Sequence, residues 1–262
     1  MRRWTRIGRA LVRASLQQDL EYRANFLAGF GATLAQAVWS VGVVAVIYHY
    51  AGAVRGWTYD QALAVVGMFT IVNGFVEGVL RPNVQGLVQQ VRDGTFDFVL
   101  VKPVDSQVLV SLRYVRFAQG WDVLAGLALV GYGVASSGAR PGVLEVATFA
   151  TMLLAALVMV YGLWLMSITL SFWFVKVDNV VEVVQAGIEG GRYPVDALGG
   201  WVRIVLTFVL PVGFITTFPA SSVLGRAEPW QIVGSWGGAV LLFALSRRTW
   251  RMALRHYTSA SS

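Results

Sequence analysis

Glu77 and Asp122 are carboxylates set among residues that otherwise avoid water, so they are the first places to look for chemistry. Charge in hydrocarbon is costly, and an intramembrane acid therefore lines a polar path, pairs with a cation or relays protons. Asn73 lies four residues before Glu77, on the same helical face. Gln36 sits midway along another apolar run. An intramembrane aspartyl hydrolase needs two aspartates at depth, and the apolar stretches offer only Asp122. A serine hydrolase needs serine and histidine together, yet His49 falls at the rim of an apolar run and His256 in the basic tail. Two distant histidines and no cysteine exclude the usual zinc ligand sets and a thiol nucleophile. A phosphate-binding P-loop needs glycine before its lysine, whereas Lys102 and Lys176 both follow valine. No catalytic and no metal-binding residue is expected. Gln36, Asn73, Glu77 and Asp122 are the candidates for lining a translocation path. The competing reading puts Glu77 and Asp122 at the inner boundary, hydrated or paired with Arg81, Arg113 or Arg116.

The elements that must position these groups follow from composition. The 262 residues are 56% hydrophobic and 13% charged, roughly half the charge of a soluble domain. That shortage marks an all-α integral membrane protein. A spanning helix needs about 20 apolar residues, and windows at 24–50, 59–80, 114–136, 146–175, 201–217 and 230–245 qualify. About six transmembrane helices in a single domain over residues 1–262 are therefore expected. The third window must include Asp122 to cross, and Pro211 should kink the fifth. The polar opening and the long apolar run after it do not fit a signal peptide, so the first span is expected to be retained.

The net charge of +7 would suggest nucleic acid in a soluble protein. Here the basic residues flank the apolar runs, so no nucleic-acid partner is expected. With six spans, the N-terminus, the loops near 81–116 and 176–203, and the tail share one side and hold eighteen of the 21 lysines and arginines. Arg55, Arg140 and Arg226 remain on the other. The positive-inside rule then places both termini in the cytoplasm of a multi-pass inner or plasma membrane protein.

Three polar segments remain. Residues 1–23 place Trp4, Ile7, Leu11 and Ala14 at helical spacing with arginines on other faces, fitting an interfacial helix on anionic lipid; a basic flank that merely sets topology fits as well. In 82–105, Val84, Leu87, Val88 and Val91 fall at i, i+3, i+4 and i+7, and Gly94 is a natural stop. A helix of about ten residues is unstable alone, so this one must dock on lipid head groups or on a partner protein. In 176–200, Val177, Val180, Val181, Val184 and Ile188 form a stripe opposite Asp178, Glu182, Gln185 and Glu189. Anionic lipid would repel that acidic face, leaving a protein partner or the chain's own inner surface. Close helix contact is expected at Gly31/Ala35 and at Gly234/Gly238, the latter within the chain.

The order of amphipathic helix, GTFDFVLVKPVD, then GGRYPVDALGGWVRIVLTFVLPVGFITTFPASSVLG resembles the membrane subunits of ABC-type-2 exporters. It is similar in particular to permeases encoded as paired genes beside an ATPase gene. The matching residues are Gly94, Asp97, Leu100 and Pro103, then Tyr193, Pro194, Trp201, Arg203, Pro211, Phe218, Pro219, Ala220 and Leu224. The resemblance implies a six-span permease working with a second permease subunit, identical or related, and two cytoplasmic ABC ATPase subunits. ATP and Mg would be bound by those partners, this chain holding no cofactor. It also implies that 82–105 is a coupling-helix region whose Val84, Leu87, Val88, Val91, Arg92, Gly94 and Asp97 meet the ATPase. Asp178, Glu182 and Glu189 are candidates for a second cytoplasmic contact, in a segment at 176–200. Few charges along the path suggest a hydrophobic or amphipathic cargo. An ATP-independent transporter or a membrane scaffold is the alternative.

Overall fold

The computed structural model describes residues 23–111, 113–170 and 178–256, and these are helical apart from turns and one isolated bridge between Val54 and Trp57. The interfacial helix expected at 1–23 thus lies outside the described residues except for Arg23, which opens α1 (Arg23–Ala51). A tight loop over 52–58 leads to α2 (Tyr59–Phe75), whose start Thr58 caps reciprocally with Gln61. The α2 helix does not end at the membrane boundary. A π turn, Val76–Leu80, carries it into α3 (Arg81–Arg92), so that Tyr59–Val91 forms one apolar stretch of 33 residues. At 1.5 Å per residue it is about 50 Å long. The sequence pattern separates a short helix from the second span; in the structure nothing between Leu80 and Val84 breaks the chain, and the Gly78 carbonyl, which Pro82 cannot satisfy, accepts from the Arg116 N–H at 2.8 Å instead. The helix stops at Gly94, whose φ of +67° is the left-handed geometry that glycine adopts freely.

Two short helices, α4 (Asp97–Leu100) and α5 (Ser106–Ser111), precede α6 (Gly120–Ser136). The third window was expected to be helical from 114; residues 114–116 are instead outside any helix, with Arg116 extended, and 117–119 form a 3-10 turn. Then come α7 (Val143–Thr169), α8 (Asp178–Glu189), the short α9 (Gly200–Ile204), α10 (Phe218–Val223) and α11 (Pro229–His256). By length and composition α1, the α2–α3 helix and α7 can each cross a membrane, and a bent pair over 200–223 counts as a fourth if it is one span. The 17-residue α6 is short for a crossing, and the second half of α11 carries Arg247, Arg248, Arg251 and Arg255.

The most extensive helix contact joins α2 to α6, antiparallel. It closes over a glycine seam. A Cβ on Gly67 would lie 2.6 Å from the Gly126 carbonyl oxygen, one on Gly126 equally close to that of Gly67, and one on Gly133 2.5 Å from that of Asp60. Gly67 and Gly74 are seven residues apart, as are Gly126 and Gly133, so each pair returns to one helix face. That spacing was a signal the sequence reading passed over. The second large contact sets α11 along α7, where Gly234 faces Phe214 and Gly238 faces Met159, packing within the chain. Gly31 has open space before it.

Candidate functional site

Two ends of the molecule can be told apart from contacts alone. The 52–58 loop lies at one end of the α2–α3 helix and the 93–116 segment at the other. Gly133 of α6 meets Asp60, so the 137–142 loop shares the 52–58 end. Leu165 and Ile168 of α7 and Trp250 of α11 cluster with Leu87, Phe96, Val99 and Val110 at the opposite end.

That cluster decides the fate of the valine–leucine ridge on α3. Leu87 is 2% exposed, and Val84, Val88 and Val91 pack partly buried around it. The expectation presented the whole ridge to a partner or to lipid; the chain's own helices cover Leu87 and leave Val84, Val88 and Val91 partly exposed, because α4, α5 and the end of α11 fold under α3. Exposed apolar side chains lie instead on the following turn, with Phe98 at 70% and Val101 at 78% exposure. Asp97 sits in the first turn of α4. The Arg92 side chain is outside the described residues. Arg247 of α11 staples the turn: its guanidinium donates to both carboxylate oxygens of Asp105, at 2.9 Å to Oδ1, and to Gln107 Oε1 at 2.8 Å. That hydrogen-bonded cation holds the Asp105 carboxyl below the usual carboxylate range. Between α3 and the turn an open cavity of about 390 Å³ is lined by Gln89, Gln90, Thr95, Phe98, Lys102 and Arg113, among others.

The intramembrane polar residues separate. Glu77 pairs with Arg81 at 3.2 Å and lies within electrostatic range of Arg116, Asp122 and Glu189. Asp122 is buried and accepts a hydrogen bond from the Thr33 hydroxyl of α1. It stands two residues into α6, not deep in a span, since the helix begins only at Gly120. Asn73 is partly buried one turn before Glu77. Gln36 is exposed beside Leu34, Val38 and Trp39, on the outer side of α1 and away from the others.

The largest correction concerns 176–223. Arg55 of the 52–58 loop donates to the Leu198 carbonyl at 3.1 Å. Arg226 donates to Gln61 Oε1 at 2.7 Å and stacks on Trp57. Residues 198 and 226 therefore meet the same end of the molecule. Between them the helix over 200–209 and that over 213–223 bend by 73° at Leu210 and Pro211. The proline lacks the donor needed to continue, and π turns flank the break on both sides. A segment that leaves and returns at one end is a re-entrant hairpin, so the fifth span expected at 201–217 does not cross there. Nor is 176–200 a segment confined to the 93–116 end, since its Leu198 is held at the other. It carries α8. Ile188 is in the main core, Gln185 is buried, and Glu182, Val183 and Glu189 are exposed on the chain's surface. Asp178 opens α8; its side chain is outside the described residues. The family-motif residues hold the hairpin. Tyr193 is extended, buried Pro194 follows, Val195 N–H donates to the Thr217 hydroxyl, and Arg203 pairs with Asp196 at 2.8 Å. Phe218 and Pro219 are buried against the main core, with Phe218 edge-on to Phe214.

Long apolar helices, a hairpin closed at one end and an amphipathic turn held together at the other define a multi-pass helical membrane protein. A profile of the ABC-2 family transporter proteins matches residues 34–261. The chain belongs to that family, the membrane permease components of ABC transporters, which are generally non-catalytic. Comparison with curated proteins and with solved structures gave no match.

Proposed function

We propose that this chain is half of an export path, driven by ATP hydrolysis on a separate ABC ATPase that docks at the 93–116 end. The observation that carries the reading is the unbroken α2–α3 helix, about 50 Å long, whose end opposite the 52–58 loop holds the exposed Phe98–Val101 turn. A rigid rod ending in a stapled apolar turn transmits a push; a flexible loop would absorb it. The ATPase contact thus falls on Phe98, Leu100 and Val101, near Gly94 and Asp97, while the α3 ridge serves as the turn's foundation. ATP and Mg belong to two cytoplasmic ATPase subunits, and a second permease copy or relative completes the path.

Purified with its cognate ABC ATPase, the full chain should co-elute, and replacing Phe98 and Val101 together with aspartate should abolish co-elution and stimulated hydrolysis. Undiminished co-elution of that double variant would remove the docking assignment.

Six crossings, with both termini in the cytoplasm of an inner or plasma membrane, fit the positive-inside rule after the corrections above. Arg192 and Arg203 leave the inner side, yet the N-terminal arginines, those of 81–116 and those of α11 remain there. The fifth crossing is the stretch that carries α8 and ends at Leu198. Because the chain has no cysteine, single cysteines report topology cleanly. In intact cells, Ala53→Cys and Ala197→Cys should react with a membrane-impermeant maleimide, and Lys102→Cys only after lysis. Shared protection of positions 197 and 102 would return 176–200 to the inner side.

The cargo is an amphipath. The acidic exposed face of α8, with Glu182 and Glu189, traverses the membrane and cannot rest against lipid tails; it faces the path or the second copy. Glu77 lies within electrostatic range of that face.

A further inference from the structure

Arg192 is placed at mid-depth by two helices independently. Its Nη1 donates to Ser40 Oγ of α1 at 3.0 Å, and its guanidinium carbon stands 4.8 Å from the centre of the Phe69 ring of α2. Ser40 is eleven residues from the end of α1 at Ala51, and Phe69 is ten from the start of α2 at Tyr59. Both distances correspond to about 15 Å from the 52–58 end, half of a hydrocarbon core of roughly 30 Å. The neighbouring Gly191 abuts Val212 and Thr216, next to the break of the re-entrant hairpin at Pro211. Arg192 therefore stands where the fifth crossing, α1, α2 and the hairpin tip converge.

The other arginines toward that end, Arg55, Arg140, Arg203 and Arg226, are all exposed, and three of them have polar partners as well. Arg203 has Asp196, Arg55 the Leu198 carbonyl, and Arg226 the Gln61 amide oxygen. Arg192 has a neutral hydroxyl and a ring face, and among the described residues no carboxylate pairs with it. A hydroxyl and a cation–π contact occupy little of a guanidinium, which carries five donors. A partly buried cation at mid-membrane with its donor fork largely unused is expensive to hold without an anion. Guanidinium favours planar, bidentate acceptors, which phosphate and carboxylate provide. Broken helices at mid-depth are also where transporters expose polar groups without facing lipid.

We infer that Arg192, oriented by Ser40 and Phe69, binds the anionic group of an amphipathic cargo: a phosphate or carboxylate on an apolar chain. The cargo's tail would lie against the apolar surroundings of α1 and α2 while its head is held above the acidic face of α8, which would repel it toward the 52–58 end. The inference rests on the permease reading for its purpose. Binding needs no ATPase, however, so the two readings fail separately.

The test uses the full chain in nanodiscs of neutral lipid, with dodecyl phosphate as the probe and equilibrium binding as the readout. Wild type should bind it saturably. Arg192→Gln should weaken binding at least tenfold, Ser40→Ala about threefold, and Arg192→Lys should recover most of it. Dodecyl maltoside, which has a neutral head, should bind alike to all four chains. Ser40→Ala keeps the test decisive if Arg192→Gln fails to fold. Equal binding of dodecyl phosphate by wild type and a folded Arg192→Gln chain would overturn the proposal. So would inorganic phosphate competing as strongly as dodecyl phosphate, which would assign the site to a free anion. Loss of a dimer on sizing in Arg192→Gln, with probe binding intact, would show instead that Arg192 meets a carboxylate of a second copy.

Discussion

Replacing Leu87 with aspartate should unfold the 93–116 end of the protein, with the loss appearing in stability before any partner is added. Leu87 is 2% exposed and packs with Phe96, Val99, Val110, Leu165, Ile168 and Trp250, drawn from four helices and the turn before α4. Leu→Ala in such a site costs about 2–5 kcal/mol. Aspartate adds the cost of a buried group without a partner, of the order of 1–3 kcal/mol after it neutralises. The expected total, about 4 kcal/mol or more, is a large part of a domain's stability. Denaturant titration of the purified chain in micelles should show it, with Leu87→Ala intermediate. The contrast is with Phe98→Asp and Val101→Asp, whose side chains face water and which should stay within about 0.5 kcal/mol of wild type. A Leu87→Asp chain with undisturbed stability and lost ATPase binding would mean that the ridge is a docking face after all.

The second large effect is expected at Gly126, where one methyl group has nowhere to go. Its Cβ would fall 2.6 Å from the Gly67 carbonyl oxygen and 2.8 Å from the Ile71 nitrogen. Both are backbone of α2, which cannot rotate aside as a side chain can. Alanine in a helix gains about 1 kcal/mol over glycine from propensity, so the sign depends on sterics. Overpacking typically costs about 1–3 kcal/mol and more where backbone must move, and the most extensive helix contact among the described residues lies here. Gly126→Ala should therefore lower stability by about 2 kcal/mol net, and Gly126→Leu should prevent accumulation of folded protein. Gly131 on the same helix has nothing within 4 Å, so Gly131→Ala should be neutral or up to about 1 kcal/mol stabilising. Equal melting behaviour of Gly126→Ala and Gly131→Ala would remove the glycine seam as a determinant of the α2–α6 pair.

Both predictions turn on what covers a side chain, which is where reading from pattern stopped. The i, i+3, i+4, i+7 spacing of Val84, Leu87, Val88 and Val91 announced an apolar face correctly. It could not say whose surface closes that face, because burial against one's own α11 and burial against a partner demand the same residues. Residues 200–223 show the same limit at larger scale. Twenty-odd apolar residues with a proline satisfy hydropathy as a kinked span or as a hairpin that returns. What distinguishes them is where the ends attach, and those attachments are Arg55 to Leu198 and Arg226 to Gln61, contacts between residues more than 140 positions apart. Arg192, counted from the sequence as inner-side charge, meets Ser40 and Phe69 for the same reason.

The sequence by itself determined the solvent: a chain with so few charges and such long apolar runs can satisfy its backbone only as helices in lipid. It also determined the breaks, since Gly94 and Pro211 act through their own backbone chemistry. The tertiary structure alone decided that the chain's own helices bury Leu87, that residues 198 and 226 meet at one end, and that Arg192 reaches Ser40 of α1 and Phe69 of α2. Hydropathy records how much a residue avoids water. Lipid, protein core and partner all exclude water alike, and only packing tells them apart.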